Sequence, residues 1–191
     1  MKKTISLFLA LALALSLAAC GGQTAQSPAP TPTAVPESPA AEAHYPVTIT
    51  SYNENGETYT QTFDQCPERV VSISQANTEL LLALGLRDKI IATAHRFSPV
   101  YEPLAEEYNS IPFIAEKGYP AKEVVLDQEP DMIVGWGSLF AEDALGPVSE
   151  WNDRGVGTYL MNNTVSGLGN RTVEFLYDDI ETLGQIFDVE D

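Results

Sequence analysis

Apolar residues divide the chain into three regimes. Residues 5–17 form a largely apolar run behind Lys2 and Lys3, and residues 21–45 are almost empty of bulky apolar side chains. From Pro46 onward short apolar runs alternate with polar stretches. The last regime reads as a folded domain, and about 145 residues suffice for one lobe with a real core.

Within that domain, VTITSY and TYTQTF alternate β-branched and aromatic residues with polar ones on either side of NENGE, which predicts a β-hairpin around Asn55-Gly56. RVVSI predicts a short strand. Thr78 to Leu84 is apolar on nearly all sides and stops at Gly85, as a buried helix with a glycine C-cap does. KIIATA predicts a second strand, and a short helix is expected around Glu102 to Tyr108. AKEVVLDQ predicts a helix opened by Pro120 and closed before Pro130, followed by a third strand in DMIVGWG. EDALGPVSEWNDRGV predicts a helix ending near Gly155, and GTYLMNN a fourth strand. Val173, Leu176, Ile180, Leu183 and Phe187 then recur at spacings of three and four, the period of an amphipathic helix. Strands separated by helices of about eight to fifteen residues define an α/β fold: a three-layer lobe with a mostly parallel sheet flanked by helices, preceded by the hairpin.

The amino-terminal run has the basic start, apolar stretch and small residues of an export signal, and is short for a membrane span. Leu17-Ala18-Ala19-Cys20 resembles a bacterial lipobox, which implies lipidation of Cys20; an ordinary secretory signal with a chance cysteine fits the pattern less closely. Residues 20–45, rich in Pro, Ala, Ser and Thr, cannot bury enough surface to offset their ordering entropy and read as a disordered tether. The expected organisation is signal peptide 1–19, tether 20–45, hairpin extension 46–66, ligand-binding lobe 67–169 and a helix over 170–191.

The net charge is −17, and removal of residues 1–19 would leave 8 basic against 27 acidic residues, a net of −19. This balance argues against nucleic acid and against an electrostatic grip on anionic lipid. Cys66 is the one cysteine besides Cys20, so a lipidated chain has no internal disulfide.

Catalytic and metal-site motifs are missing. His44 and His95 stand alone, there is no GxSxG, GxxxxGK[ST] or GxGxxG, and adjacent acids such as Glu106-Glu107 and Asp178-Asp179 read as solvated helix faces. In parallel α/β sheets ligands bind beyond the carboxyl ends of the strands. Those ends carry Ser74, Gln75 and Asn77; His95, Arg96 and Phe97; Trp136; and Asn162 with Asn163. Aromatic faces with a few donors suit a bulky organic ligand that is bound without being transformed, and Arg96 favours an anionic one. Each has an ordinary alternative: Trp136 as a core or rim aromatic, His95 and Arg96 as loop residues, Asn77 as a helix cap.

PERVVSISQANTELLLALGL followed by KEVVLDQEPDMIVGW resembles the N-terminal lobe of the substrate-binding lipoproteins of ABC importers for cobalamin and ferric siderophores, over roughly residues 67–163. That resemblance implies two lobes joined by a long helix, toward which residues 170–191 lead, with the second lobe absent here. It implies Trp136 facing the ligand and Glu123 docking on a membrane permease. It places the Ala76–Glu79 turn at the rim of the cleft, beside the strand-end candidates Gln75, His95, Arg96 and Phe97. The implied ligand is a ferric siderophore, cobalamin or haem whose metal the ligand itself holds, so no protein metal ligands and no resident cofactor are expected. The implied protein is a monomer and not an enzyme, outside the cytoplasm, anchored through Cys20. The competing reading is a one-lobe lipoprotein acting as a sensor or scaffold module.

Overall fold

The structure is a computed structural model that describes residues 43–190. The predicted signal peptide, the lipobox at Cys20 and nearly all of the predicted tether lie outside the described residues. Strands β1 (Val47–Tyr52) and β2 (Thr58–Phe63) pair antiparallel, Val47 against Phe63 and Tyr52 against Thr58, as the NENGE turn predicts. Five further strands form one parallel sheet. They are β3 (Val70–Ile73), β4 (Ile90–Ala94), β5 (Phe113–Ala115), β6 (Met132–Gly135) and β7 (Gly157–Leu160), in the order β5-β4-β3-β6-β7.

The central strand explains why this sheet reads so clearly in the sequence. All four residues of β3 are buried, because helices cover both faces of a parallel sheet and leave no solvent side. Alternation divides them: Val70 joins one core with Leu81, Met132, Tyr159, Leu183 and Phe187, while Val71 and Ile73 join another with Ile133, Val125, Phe140 and Trp151. Ser72, on the first face, has its hydroxyl bonded to that of Thr78 at 2.9 Å. Asp131 fixes where β3 and β6 start, its two carboxylate oxygens accepting the amides of Glu68 and Arg69 at 2.8 and 2.9 Å.

Helix α1 spans Gln75–Ala83, three residues earlier than its apolar pattern predicts. Its end is as predicted: Gly85, at φ +76°, donates to Leu82 and Leu86 donates to Leu81, the paired bonds of a Schellman cap. Helices α2 (Ala105–Asn109), α3 (Lys122–Leu126) and α4 (Val148–Asn152) have five residues each, shorter than the eight to fifteen expected. Pro147 stands at the N-cap of α4, which cuts the predicted EDALGPVSEWNDRGV helix to its second half. Helix α5 (Val173–Phe187) is capped by Thr172, whose hydroxyl accepts the Phe175 amide at 3.2 Å. Its carboxyl-terminal half is buried at Leu183, Ile186 and Phe187, whereas Val173, Leu176 and Tyr177 are exposed. Among the described residues no helix is long and apolar enough to cross a membrane.

His44, which the sequence reading leaves in the tether, is held on the folded body. Its Nε2 lies 2.7 Å from the Gln185 carbonyl and its Nδ1 3.1 Å from the Asp188 carboxylate, while the Tyr45 hydroxyl donates to the Ile186 carbonyl at 2.7 Å.

Candidate functional site

The chain runs outward from β3 to β4 and β5, then returns to place β6 and β7 on the other side. The carboxyl ends of β3 and β6 therefore flank a switch point, where the loops leaving the strands diverge and open a crevice. His95 leaves β4 and Trp136 leaves β6 at this end. Their rings meet edge to face with centroids 5.8 Å apart. Phe97 lies 5.7 Å from His95 and 6.1 Å from Trp136, and Tyr119 completes the group 5.6 Å from His95. Phe97 is 56% exposed, so the cluster faces solvent instead of closing into a core. Beside it a shallow cleft of about 490 Å³ is lined by His95, Arg96, Phe97, Ser98, Lys117 and Gly118.

Backbone geometry holds His95 there. It sits at φ +61°, a left-handed conformation that a side chain adopts at a cost unless its surroundings impose it. The surroundings do so: its amide donates to Ala115 of β5 at 2.9 Å and its carbonyl accepts from Gln75 at 3.2 Å. The His95 Nδ1 atom is buried without a hydrogen-bond partner.

Gln75 is engaged within the fold. It is buried, and both ends of its amide are used: Oε1 accepts the amides of Phe97 and Ser98 at 3.2 and 3.0 Å, and Nε2 donates to Glu79 and to the Pro99 carbonyl at 2.8 and 3.2 Å. It holds the loop that carries Phe97 and has no free polar atom to offer a ligand. Asn77 is not the helix cap; Ser74 occupies that position without a side-chain cap bond, and Asn77 donates to the Ile73 carbonyl at 2.9 Å. Asn163 is also engaged, its side chain pairing with both backbone groups of Thr172 at 2.8 and 2.9 Å.

Charge enters the cleft through two cations. Arg96 stacks on Phe113, 4.9 Å from the ring centroid, and pairs with Glu116 at 3.2 Å. Lys117 has no carboxylate within ion-pairing distance among the described residues. Sequence reasoning missed Lys117 and Tyr119, whose loop follows the unpredicted β5; the Gly118-Tyr119-Pro120 turn was the available signal. Glu123 is exposed in the first turn of α3, apart from the cleft lining. No group of three or more His, Cys, Asp or Glu side chains among the described residues is arranged to hold a metal.

A parallel lobe with an aromatic, partly cationic crevice at its switch point is the architecture of a small-molecule binding domain. The sequence matches no protein-family model and no curated protein. Solved structures do match. A periplasmic binding protein from Veillonella parvula superposes with a TM-score of 0.70 at 32% identity, over 76% of this chain and 46% of that one. An ABC-type Fe3+-hydroxamate transport system from Saccharomonospora viridis superposes with a TM-score of 0.62 at 25% identity, over 78% and 50%. A petrobactin-binding protein from Bacillus subtilis shares the fold with a TM-score of 0.52 at 19% identity, over 76% and 47%. The folded region is, by fold, a lobe of the substrate-binding proteins of ABC importers, and the chain spans about half the length of the structures it matches.

Proposed function

We propose that this chain is an extracytoplasmic solute-binding protein, and not an enzyme, that takes an iron chelate, a ferric siderophore or haem, onto the cleft beside His95 and hands it to an ABC permease. The observation that carries this reading is the gathering of four rings, His95, Phe97, Tyr119 and Trp136, beside Arg96 and Lys117. Ring faces match the flat organic periphery of such chelates, and the guanidinium and ammonium groups match their anionic oxygens. In a chain of net charge −17 these two cations stand out as an attractive spot for an anion. The resemblance to iron-chelate carriers supports the same class. Trp136 and Phe97 serve as contact surfaces, Arg96 and Lys117 as charge partners, and Gln75 as the brace behind them. Lipidation of Cys20 would keep the protein at the membrane surface as a monomer, and Glu123 would dock on the permease.

The experiment is co-elution. The protein is mixed with a ferric hydroxamate, a ferric catecholate, haem or cobalamin, passed through size exclusion, and the protein peak assayed for iron and cobalt. Iron in the peak supports the proposal; cobalt alone would redirect it to corrinoids.

A further inference from the structure

Trp136 is followed by Gly137, whose amide donates to the Thr164 hydroxyl at 3.0 Å. That hydroxyl in turn donates to the Met161 carbonyl at 2.7 Å, so its orientation is determined and its lone pair is directed at Gly137. A Cβ on Gly137 would lie 2.8 Å from the Thr164 carbonyl oxygen, so the two loops meet this closely because the residue is glycine. The loop beyond Thr164 is held from outside. Gly56, at φ +80° in the hairpin turn, packs so closely on Ser166 that a Cβ there would collide with its carbonyl oxygen. The same turn reaches α4, where the Glu54 carboxylate accepts the Val148 amide at 3.1 Å. The hairpin turn, the loop after β7 and the loop after β6 thus form one continuous contact path that ends at the Trp136 backbone.

We propose that Thr164 is a positioning residue for Trp136, and that the β1–β2 hairpin acts through it to keep the Trp136 indole at its place beside the cleft. The inference rests on the proposed role of Trp136 in ligand contact, but its first test does not. Trp136 and Trp151 are the two tryptophans, so fluorine NMR of fluorotryptophan-labelled protein resolves one signal from each, assigned with Trp136→Phe. Thr164→Val leaves the Gly137 amide without its acceptor. It should shift and broaden the Trp136 signal, leave that of Trp151 in place, and be rescued by Thr164→Ser. Gly56→Ala, acting from the hairpin side, should move the same signal in a chain whose Thr164 is intact.

An unchanged Trp136 signal in both Thr164→Val and Gly56→Ala, with the fold intact by circular dichroism, would overturn the proposal. So would failure of Thr164→Ser to restore the signal. In the second arm, haem and a ferric catecholate are the probes, and Thr164→Val should weaken binding about tenfold, the scale of one lost hydrogen bond. If the Trp136 signal moves and wild type binds neither probe, the positioning role stands and the reading as a haem or ferric-catecholate carrier falls.

Discussion

The Oε1 atom of Gln75 accepts the backbone amide of Ser98 at 3.0 Å, tying the first turn of α1 to the loop that presents Phe97. Gln75→Leu removes this acceptor and leaves the part-buried amides of Phe97 and Ser98 without their partner. The expected cost is about 1–3 kcal/mol of folding stability, read by urea denaturation, together with weaker chelate binding. Unchanged stability would show that the loop holds itself.

Trp136→Ala removes the ring that His95 and Phe97 both touch. Because the indole is half-buried at the cleft and not in the core, the fold should survive. Affinity for the bound chelate should fall by about 1 kcal/mol or more. Calorimetric titration of the variant checks this, and equal affinity would remove Trp136 from the site.

Asp179 on α5 lies buried beneath β7, its Oδ1 accepting the Tyr159 hydroxyl at 2.9 Å and the Asn162 amide at 3.0 Å. Burial raises its pKa from 3.8 to about 6, opposed by those two hydrogen bonds. The folded state therefore binds this proton more tightly than the unfolded chain does. Asp179 thus contributes a stability that is present at low pH and is lost as pH rises from about 4 to about 6. Asp179→Asn keeps the acceptor and abolishes the titration. The variant should gain on wild type by up to roughly 3 kcal/mol between about pH 4 and pH 7, measured by denaturation at each pH. A constant difference across that range would contradict the assignment.

Gln61 of β2 closes the edge of the parallel sheet. Its Nε2 donates to the Thr158 carbonyl at 2.8 Å and its Oε1 accepts the Thr158 amide at 2.9 Å, so one side chain covers both backbone groups of an edge residue. Gln61→Val should expose that edge, lower stability by about 1–2 kcal/mol and promote self-association. Light scattering against concentration is the check.

Glu123 is exposed on a five-residue helix away from the cleft. Glu123→Ala should change stability by no more than about 0.5 kcal/mol and leave chelate binding intact. Uptake into vesicles carrying the cognate permease should fall. A variant that transports as wild type would end the docking role.

The strands were legible because a parallel sheet buried on both faces writes short apolar runs into the chain, and Val70 to Ile73 is such a run. With the strand ends came His95, Phe97 and Trp136. Strand β5 was hidden: its three residues are each only partly buried at the sheet edge, and so short a run has no readable period. Tyr119 and Lys117 were lost with it. The start of α1 was misread for a different reason. Ser74, Gln75 and Asn77 look like a polar turn, yet all three are buried, Gln75 and Asn77 with their hydrogen bonds made inside the fold, and Ser74 at the cap makes no side-chain bond that would mark the boundary. Which polar residues serve the fold and which face a ligand depends on partners distant in sequence, such as Pro99 for Gln75 and Thr172 for Asn163.

The central claim is that the cleft beside His95 binds an iron chelate, and tryptophan fluorescence during titration of the wild-type chain with haem and with ferric catecholate and hydroxamate chelates tests it most directly. The account predicts saturable quenching by at least one of them, with a smaller amplitude in Trp136→Phe, where the remaining tryptophan is Trp151, buried with its indole bonded to the Leu145 carbonyl. Absence of saturable quenching with every chelate, or quenching that persists unchanged in Trp136→Phe, would contradict it.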